Sequence, residues 1–276
     1  FPDADILKIK IHTFHAFAND YLTDAGLVSG EIVGNNFLRY SILQSFIDNK
    51  ALTYGKSYII QTIMPKVETA IRYIKNFGIT PDKIDLNKTA KAIEVLHKPT
   101  PAYSKADMKA FLKYFVDAYK HYEDSKTDVI DYSDMLLTFI EKFQGEKYQH
   151  VLVDEMQDMN EIEAQIVEMV SENLFLVGDA KQAIFGFQGG SIKNFQKFEQ
   201  SCKPMLLSTN RRSTQQILGY SKKYFLNNTE HRAKFEKQLE NFNSSAKGSV
   251  PKIFSTGAPL KKILSLINEN PDKKIG

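Results

Sequence analysis

Apolar residues recur along the chain with two periods, and the shift from one to the other marks its organisation. Phe14, Phe17, Ala18, Tyr21, Leu22 and Ala25 stand at i, i+3, i+4, i+7, i+8 and i+11, one face of a helix. Gly26 follows where such a helix would stop. Ahead of it, Ile6, Ile9 and Ile11 predict a short strand. From about Gly34 to Lys126, aromatic and lysine residues are interleaved with Pro65, Pro81, Pro99 and Pro101, and no strand pattern emerges. The clearest helix there runs from Ser104 to about Tyr122, with Met108, Phe111, Leu112, Phe115, Val116 and Tyr119 on one side. This stretch reads as a helical insertion.

Beyond it the pattern turns α/β. Ser133 opens a helix carrying Met135, Leu136, Phe139, Ile140 and Phe143. Val151-Leu152-Val153 reads as a short buried strand ending at Asp154-Glu155, and Leu174 to Val177 as a second one ending at Gly178-Asp179. Between them, Asn160 is placed to cap a helix, with Glu163 completing a capping box. All-apolar strands alternating with amphipathic helices predict a parallel sheet covered on both faces.

Composition adds limits. Hydrophobic residues at 42% and charged residues at 25% of 276 are those of a soluble globular chain of one to three domains. No apolar run approaches the roughly 18–20 residues that cross a bilayer, so no membrane partner is expected. The single cysteine, Cys202, excludes an internal disulfide and fits a reducing, cytoplasmic setting. The net charge of +3 conceals an asymmetry: Lys203 to Gly276 holds 14 basic and 5 acidic residues, a balance of +9 that leaves −6 for the rest. A basic terminal segment is compatible with a polyanion such as nucleic acid. Phe1 in place of methionine, and a last stretch that reads as a turn, suggest an excised piece of a longer protein.

In parallel sheets, functional groups gather at the carboxyl ends of strands. A strand that delivers Asp154 and then Glu155 suits nucleotide hydrolysis. The first carboxylate can hold magnesium, which seeks oxygen ligands, and the second can orient or deprotonate an attacking water. The second strand end continues Gly178-Asp179-Ala180-Lys181-Gln182-Ala183-Ile184-Phe185-Gly186-Phe187-Gln188-Gly189-Gly190, and a third block reads Leu206-Leu207-Ser208-Thr209-Asn210-Arg211-Arg212-Ser213.

Together these blocks resemble motifs II, III and IV of the superfamily 1, UvrD/Rep-type DNA helicases, whose usual patterns are DExxQD, GDxxQSIYxFRGA and NYRS. His12-Thr13-Phe14-His15 resembles the family's Thr-Phe-His segment, and Asp131 to Leu136 its DFxDLL segment. The resemblance covers most of the chain outside the helical stretch. It implies an incomplete RecA-like (P-loop NTPase) parallel-sheet domain 1A, residues 1–30 and 126–205. Residues 31–125 would be the helical insertion domain 1B, and 206–276 the start of a second RecA-like domain, 2A.

The resemblance also implies roles. Asp154 would coordinate magnesium, Glu155 would activate water, and Gln182 would sense the γ-phosphate of ATP. Arg212 matches an arginine that reaches that phosphate from the second RecA-like domain. Phe187 matches an aromatic that stacks on single-stranded DNA, whereas Phe185 is either a second such aromatic or part of the core. Thr13 and His15 fit the DNA-side segment, with His15 as a packed helix-start residue the alternative. The parent would translocate on single-stranded DNA, 3′ to 5′, and separate duplex DNA.

Three departures stand out. Arg211 occupies the place of the tyrosine that stacks on adenine; a guanidinium can also stack on an aromatic face. Gln188 replaces an arginine in the DNA-facing block, which removes a positive charge. No phosphate-gripping G-x-x-x-x-G-K-[ST] loop is found, because Gly55-Lys56-Ser57 has Lys50 where the first glycine belongs. That loop is expected upstream of Phe1, and motifs V and VI downstream of Gly276, so the piece alone is expected not to hydrolyse ATP. A non-catalytic DNA- or partner-binding paralogue and a helicase–nuclease subunit are the alternatives.

Overall fold

The computed structural model of the chain describes residues 9–27, 31–48, 55–96, 105–183, 192–229, 232–240, 242–251 and 257–269. The chain divides into two compact units, Phe1–Cys202 and Lys203–Gly276.

In the first unit, helix α1 (Phe14–Asp24) starts where the Thr13 hydroxyl accepts the Ala16 N–H at 3.2 Å, and it buries Ala18 and Leu22. Gly26 sits just past its end at a φ of 67°, a conformation glycine adopts without a Cβ penalty. Helix α7 (Tyr132–Lys142) begins at Asp131 rather than at Ser133. Its Asp131 and Asp134 side chains each accept the other's backbone N–H, at 2.9 and 3.0 Å, a reciprocal cap that a Ser133 start could not form.

Strands β3 (Tyr148–Val153) and β4 (Ser171–Leu176) pair in parallel, with Val153 opposite Leu176. Helix α8 (Glu161–Val170) makes the crossover between them. It opens on the expected capping box: Asn160 Oδ1 accepts the Glu163 N–H at 2.9 Å, and Glu163 returns the bond to the Asn160 N–H at 3.0 Å. Asn160→Ala is therefore expected to destabilise the unit by about 1 kcal/mol. Thermal melting of the variant beside wild type checks it, and an unchanged midpoint would refute it.

Residues from α1, α7 and α8 share one core: Ala18, Leu22, Leu136, Phe139, Ile162 and Ile166 are all buried. A neighbouring cluster joins Val153, Met156, Met159 and Val167 to Phe198 of helix α9 (Ile192–Ser201). Those helices cover one face of the sheet only. Leu152 is 73% and Phe175 58% exposed, which corrects the expectation of a sheet covered on both sides. The apolar run marked a strand correctly, but exposure depends on which elements lie opposite, and none does among the described residues. Of the expected early strand, Ile9 and Ile11 are exposed and belong to no strand among the described residues, and Ile6 lies outside those residues.

The helical stretch has its own core. Helices α2 (Asn35–Asp48), α4 (Met64–Lys75) and α6 (Lys105–Asp124) bury Leu38, Ile42, Val67, Ile71, Tyr114 and Tyr119 together. Helix α3 (Lys56–Tyr58) and a π-helical turn, Ile59–Ile63, lead into α4, and α5 (Leu86–Leu96) packs on α6. Entry and exit meet where β1 (Glu31–Ile32) pairs in parallel with β2 (Val129–Ile130). Two-residue strands carry no readable period, so the sequence pattern did not reveal them.

Where this helical body meets α7, a buried ion cluster forms. Lys75 Nζ lies 2.8 Å from Glu123, 2.7 Å from Asp131 and 2.6 Å from Asp134. Lys126 Nζ lies 2.6 Å from Glu123 and 2.5 Å from Asp134, and the Tyr122 hydroxyl donates to Asp131 at 2.7 Å. The three carboxylates are close enough to share a cation. The two ammonium groups already serve as that cation.

In the second unit, α10 (Gln215–Asn228) and α11 (Arg232–Glu240) are joined by an edge-to-face pair, Phe225 and Phe235, at 5.1 Å. A parallel bridge links Thr209 to Asn243, and α12 is Pro259–Glu269.

Candidate functional site

At the carboxyl end of β3 the chain turns sharply. Glu155 adopts a left-handed backbone, φ 53° and ψ 42°, which costs an L side chain about 1–2 kcal/mol. The ladder holds it on both sides: Val177 N–H donates to Val153 O at 2.8 Å, and Met156 N–H to Val177 O at 2.9 Å. Strain over-determined by its neighbours is typical of functional turns. The turn throws Asp154 and Glu155 outward, and both are exposed.

Asp154 Oδ1 accepts the Glu155 N–H at 2.9 Å. Its Oδ2 has no partner among the described residues. Glu155 Oε2 accepts from the Gln157 amide at 2.6 Å. Asp158, in the same short 3₁₀ turn, keeps a buried Oδ1 with no hydrogen-bond partner among the described residues. Burial first, and then the charge of Glu155, push its carboxyl above the usual range. Among the described residues, the carboxylates of Asp154, Glu155 and Asp158 do not converge closely enough to form a three-ligand cation cage, so the exposed Asp154 is the group here with an oxygen open to a hydrated divalent cation. Magnesium in particular takes one or two protein carboxylates and keeps several waters.

The loop after β4 faces the same end of the sheet. Gln182 Nε2 donates to Asp179 Oδ2 at 3.1 Å, and Lys181 Nζ stands 2.5 Å from Asp179 Oδ1. Burial alone would raise the Asp179 carboxyl, but these bonds hold it below its ordinary value. The two strand ends are tied through Gln157, whose Oε1 accepts the Asp179 N–H at 2.9 Å. Asp154, Glu155 and Gln182 thus belong to one hydrogen-bonded constellation. Gln157 and Asp179 were not singled out from the sequence. The available signal was their place inside the acidic blocks, but only the parallel pairing of β3 with β4 brings them together.

Other candidate residues are placed differently. Thr13 is the cap of α1. His15 is half-buried, sets its ring edge-to-face on Tyr132 at 5.3 Å, and is pushed below its ordinary pKa by burial. His12 stands 3.3 Å from Asp20. Phe185, Phe187 and Gln188 lie outside the described residues. In the second unit, Asn210 Oδ1 accepts the Arg212 N–H at 3.0 Å and the Ser213 N–H at 2.7 Å, a side-chain turn ahead of α10. That turn leaves the Arg211 and Arg212 side chains exposed. Gly55-Lys56-Ser57 leads into the helical turn of α3.

Comparison with known proteins decides what this arrangement belongs to. Residues 1–203 match the model of the UvrD/REP helicase N-terminal domain. The chain belongs to the UvrD/REP helicase family. It is 27% identical over 204 residues to the ATP-dependent DNA helicase PcrA of Leuconostoc citreum, which covers 66% of the chain and 27% of that protein. It is 32% identical over 133 residues to PcrA of Staphylococcus epidermidis (42% of the chain, 18% of that protein). With PcrA of Staphylococcus aureus, identity is 29% over 181 residues, 58% of the chain and 25% of that protein. The matched part of the chain therefore spans only about a fifth to a quarter of the length of these UvrD/REP relatives. No helix among the described residues is long and apolar enough to cross a membrane.

Proposed function

We propose that the protein containing this chain is an ATP-dependent DNA helicase that moves along single-stranded DNA, 3′ to 5′, and separates duplexes. One observation carries the reading: in a chain of this family, the acidic end of β3 and the Gln182 loop after β4 are hydrogen-bonded into one site.

In this reading residues 1–30 and 126–205 are part of a RecA-like domain. Residues 31–125 are a helical insertion within it, and 206–276 begin a second RecA-like domain. The paired β1 and β2 support the insertion, because they let the chain leave and return at one point. Asp154 holds the magnesium of Mg-ATP, which when bound neutralises charge on the phosphates. Glu155 orients and deprotonates the attacking water. Gln182 contacts the terminal phosphate, and its bond to Asp179 passes the nucleotide state to the β4 loop. Arg212 stabilises the transferring phosphoryl group, and Arg211 stacks on the adenine. Phe187, with Phe185, stacks on DNA bases, which tolerates any sequence because every base has a π-face. Thr13, His15 and Gln188 lie along the same DNA track. The +9 balance of the second unit favours a polyanionic partner.

The test is single-stranded-DNA-stimulated ATP hydrolysis by the full-length protein beside Glu155→Gln. Loss of the base is expected to lower turnover about 10²–10⁴-fold with ATP binding retained. Turnover that survives the change removes Glu155 from the mechanism. Absence of turnover in wild type as well supports a DNA-binding paralogue, a reading that Arg211 and Gln188 favour.

A further inference from the structure

We propose that Gln157 is a positioning residue for hydrolysis: it fixes the Glu155 carboxylate and couples it to the loop that carries Gln182. The inference rests on the hydrolytic reading of Glu155 given above.

Gln157 is only 3% exposed, yet both ends of its amide are bonded across the site. Its Nε2 donates to Glu155 Oε2 at 2.6 Å, and its Oε1 accepts the Asp179 N–H at 2.9 Å. An ionised carboxylate can only accept and a backbone N–H can only donate, so the chemistry leaves one orientation of the amide. Asp179 in turn accepts from Gln182 at 3.1 Å. The result is a continuous path of three hydrogen bonds, Glu155 to Gln157 to Asp179 to Gln182.

The fold makes room for this amide. A Cβ at position 178 would lie 2.7 Å from Gln157 Oε1 and 2.4 Å from Met156 Cγ, so glycine there lets the Gln157 side chain reach the β4 loop. Glu155, held in a left-handed turn, projects into solvent from a fixed backbone. Its carboxylate would otherwise swing about three side-chain torsions. A bond to a buried, doubly anchored donor removes much of that freedom, and a base must be held in place to act on a bound water. No neutral side chain shorter than glutamine spans both partners, and aspartate or glutamate would face Glu155 with a like charge.

The test uses the full-length protein and two variants. Gln157→Leu removes both bonds, and kcat for DNA-stimulated ATP hydrolysis is expected to fall about 10²-fold, the scale of a displacement of about 1 Å, with KM for ATP changed less than about threefold. Gln157→Glu keeps an acceptor for Asp179 but loses the donor while ionised. Its kcat is expected to fall as in Gln157→Leu while the Asp179 amide keeps its slow hydrogen exchange, because only the donor to Glu155 is lost. A merely structural glutamine gives no such split between turnover and exchange. Wild-type kcat in either variant, or an effect confined to KM, overturns the proposal. Glu155→Gln run in parallel separates the two ideas: if it turns over normally, the role of Glu155 fails by itself. Hydrogen exchange at the Asp179 amide, measured on this chain without nucleotide, then still judges the bridge. Exchange is expected to be at least about tenfold faster in Gln157→Leu, and an unchanged rate overturns the link.

Discussion

Lys75→Met is expected to destabilise the first unit by about 3–5 kcal/mol, the cost of stripping one partner from a buried ion network. The Lys75 side chain is 4% exposed and Lys126 6%, so neither charge is relieved by water. The cluster holds two ammonium groups against three carboxylates, and removing Lys75 leaves Glu123, Asp131 and Asp134 with Lys126 alone. Because a domain is stable by only about 5–15 kcal/mol, a loss of this size approaches unfolding. Urea denaturation measures it, and a loss under about 1 kcal/mol would show the cluster to be energetically idle. The double variant Lys75→Met with Asp134→Asn is expected to recover part of the loss, since it removes one of the stranded charges.

The same cluster sets an acid limit. Burial alone would raise the Asp131 carboxyl, but Lys75 and Lys126 bring it down to about 2 from an ordinary 3.8. A folded pKa below the unfolded one means that the native state binds fewer protons. Its stabilisation is present above about pH 4 and is lost as pH falls towards about 2. Lys75 moves the other way: burial opposes its charge, but Asp131, Asp134 and Glu123 prevail and hold it protonated well above the usual range. Acid unfolding of wild type should therefore steepen below about pH 4, and Lys75→Met should blunt that limb.

Arg212→Ala is expected to cost the full-length protein about 10³–10⁵ in ATP turnover while leaving its binding to single-stranded DNA nearly unchanged. The proposed guanidinium neutralises charge that develops on the transferring phosphoryl group, an interaction stronger in the transition state than in the bound substrate. The Asn210 turn supports this role, since it holds the backbone of Arg212 and Ser213 while leaving the side chain free to extend. Arg212→Lys keeps the charge but loses the planar fork, and is expected to recover only a small part. Single-turnover kinetics with saturating ATP check both variants. Turnover within about tenfold of wild type in Arg212→Ala would exclude the assignment.

Much of this architecture was written in the spacing of the side chains. The stripes of α1 and α7, the capping box of α8 and the two apolar runs of β3 and β4 are local signals, because each depends on contacts within a turn or two or on a period. The acids that end β3 were legible for the same reason: a strand must deliver its last residues to its carboxyl edge. The family followed from several such blocks in order.

What the sequence could not decide lay in pairs distant along the chain. Lys75 reads as an ordinary lysine on a helical surface until α4, α6 and the start of α7 converge on it and withdraw water. Gln157 reads as one polar loop residue among several until β4 lies beside β3 and presents the Asp179 N–H. Leu152 and Phe175 looked buried because a run of apolar residues reports strand propensity, whereas exposure is set by what packs opposite. Local sequence determined the elements and the chemistry each carries, since propensity, capping and period act over a few residues. Tertiary structure alone decided which charges are buried together and which loops share a hydrogen bond, because those energies exist only between segments that the fold brings within a few ångströms.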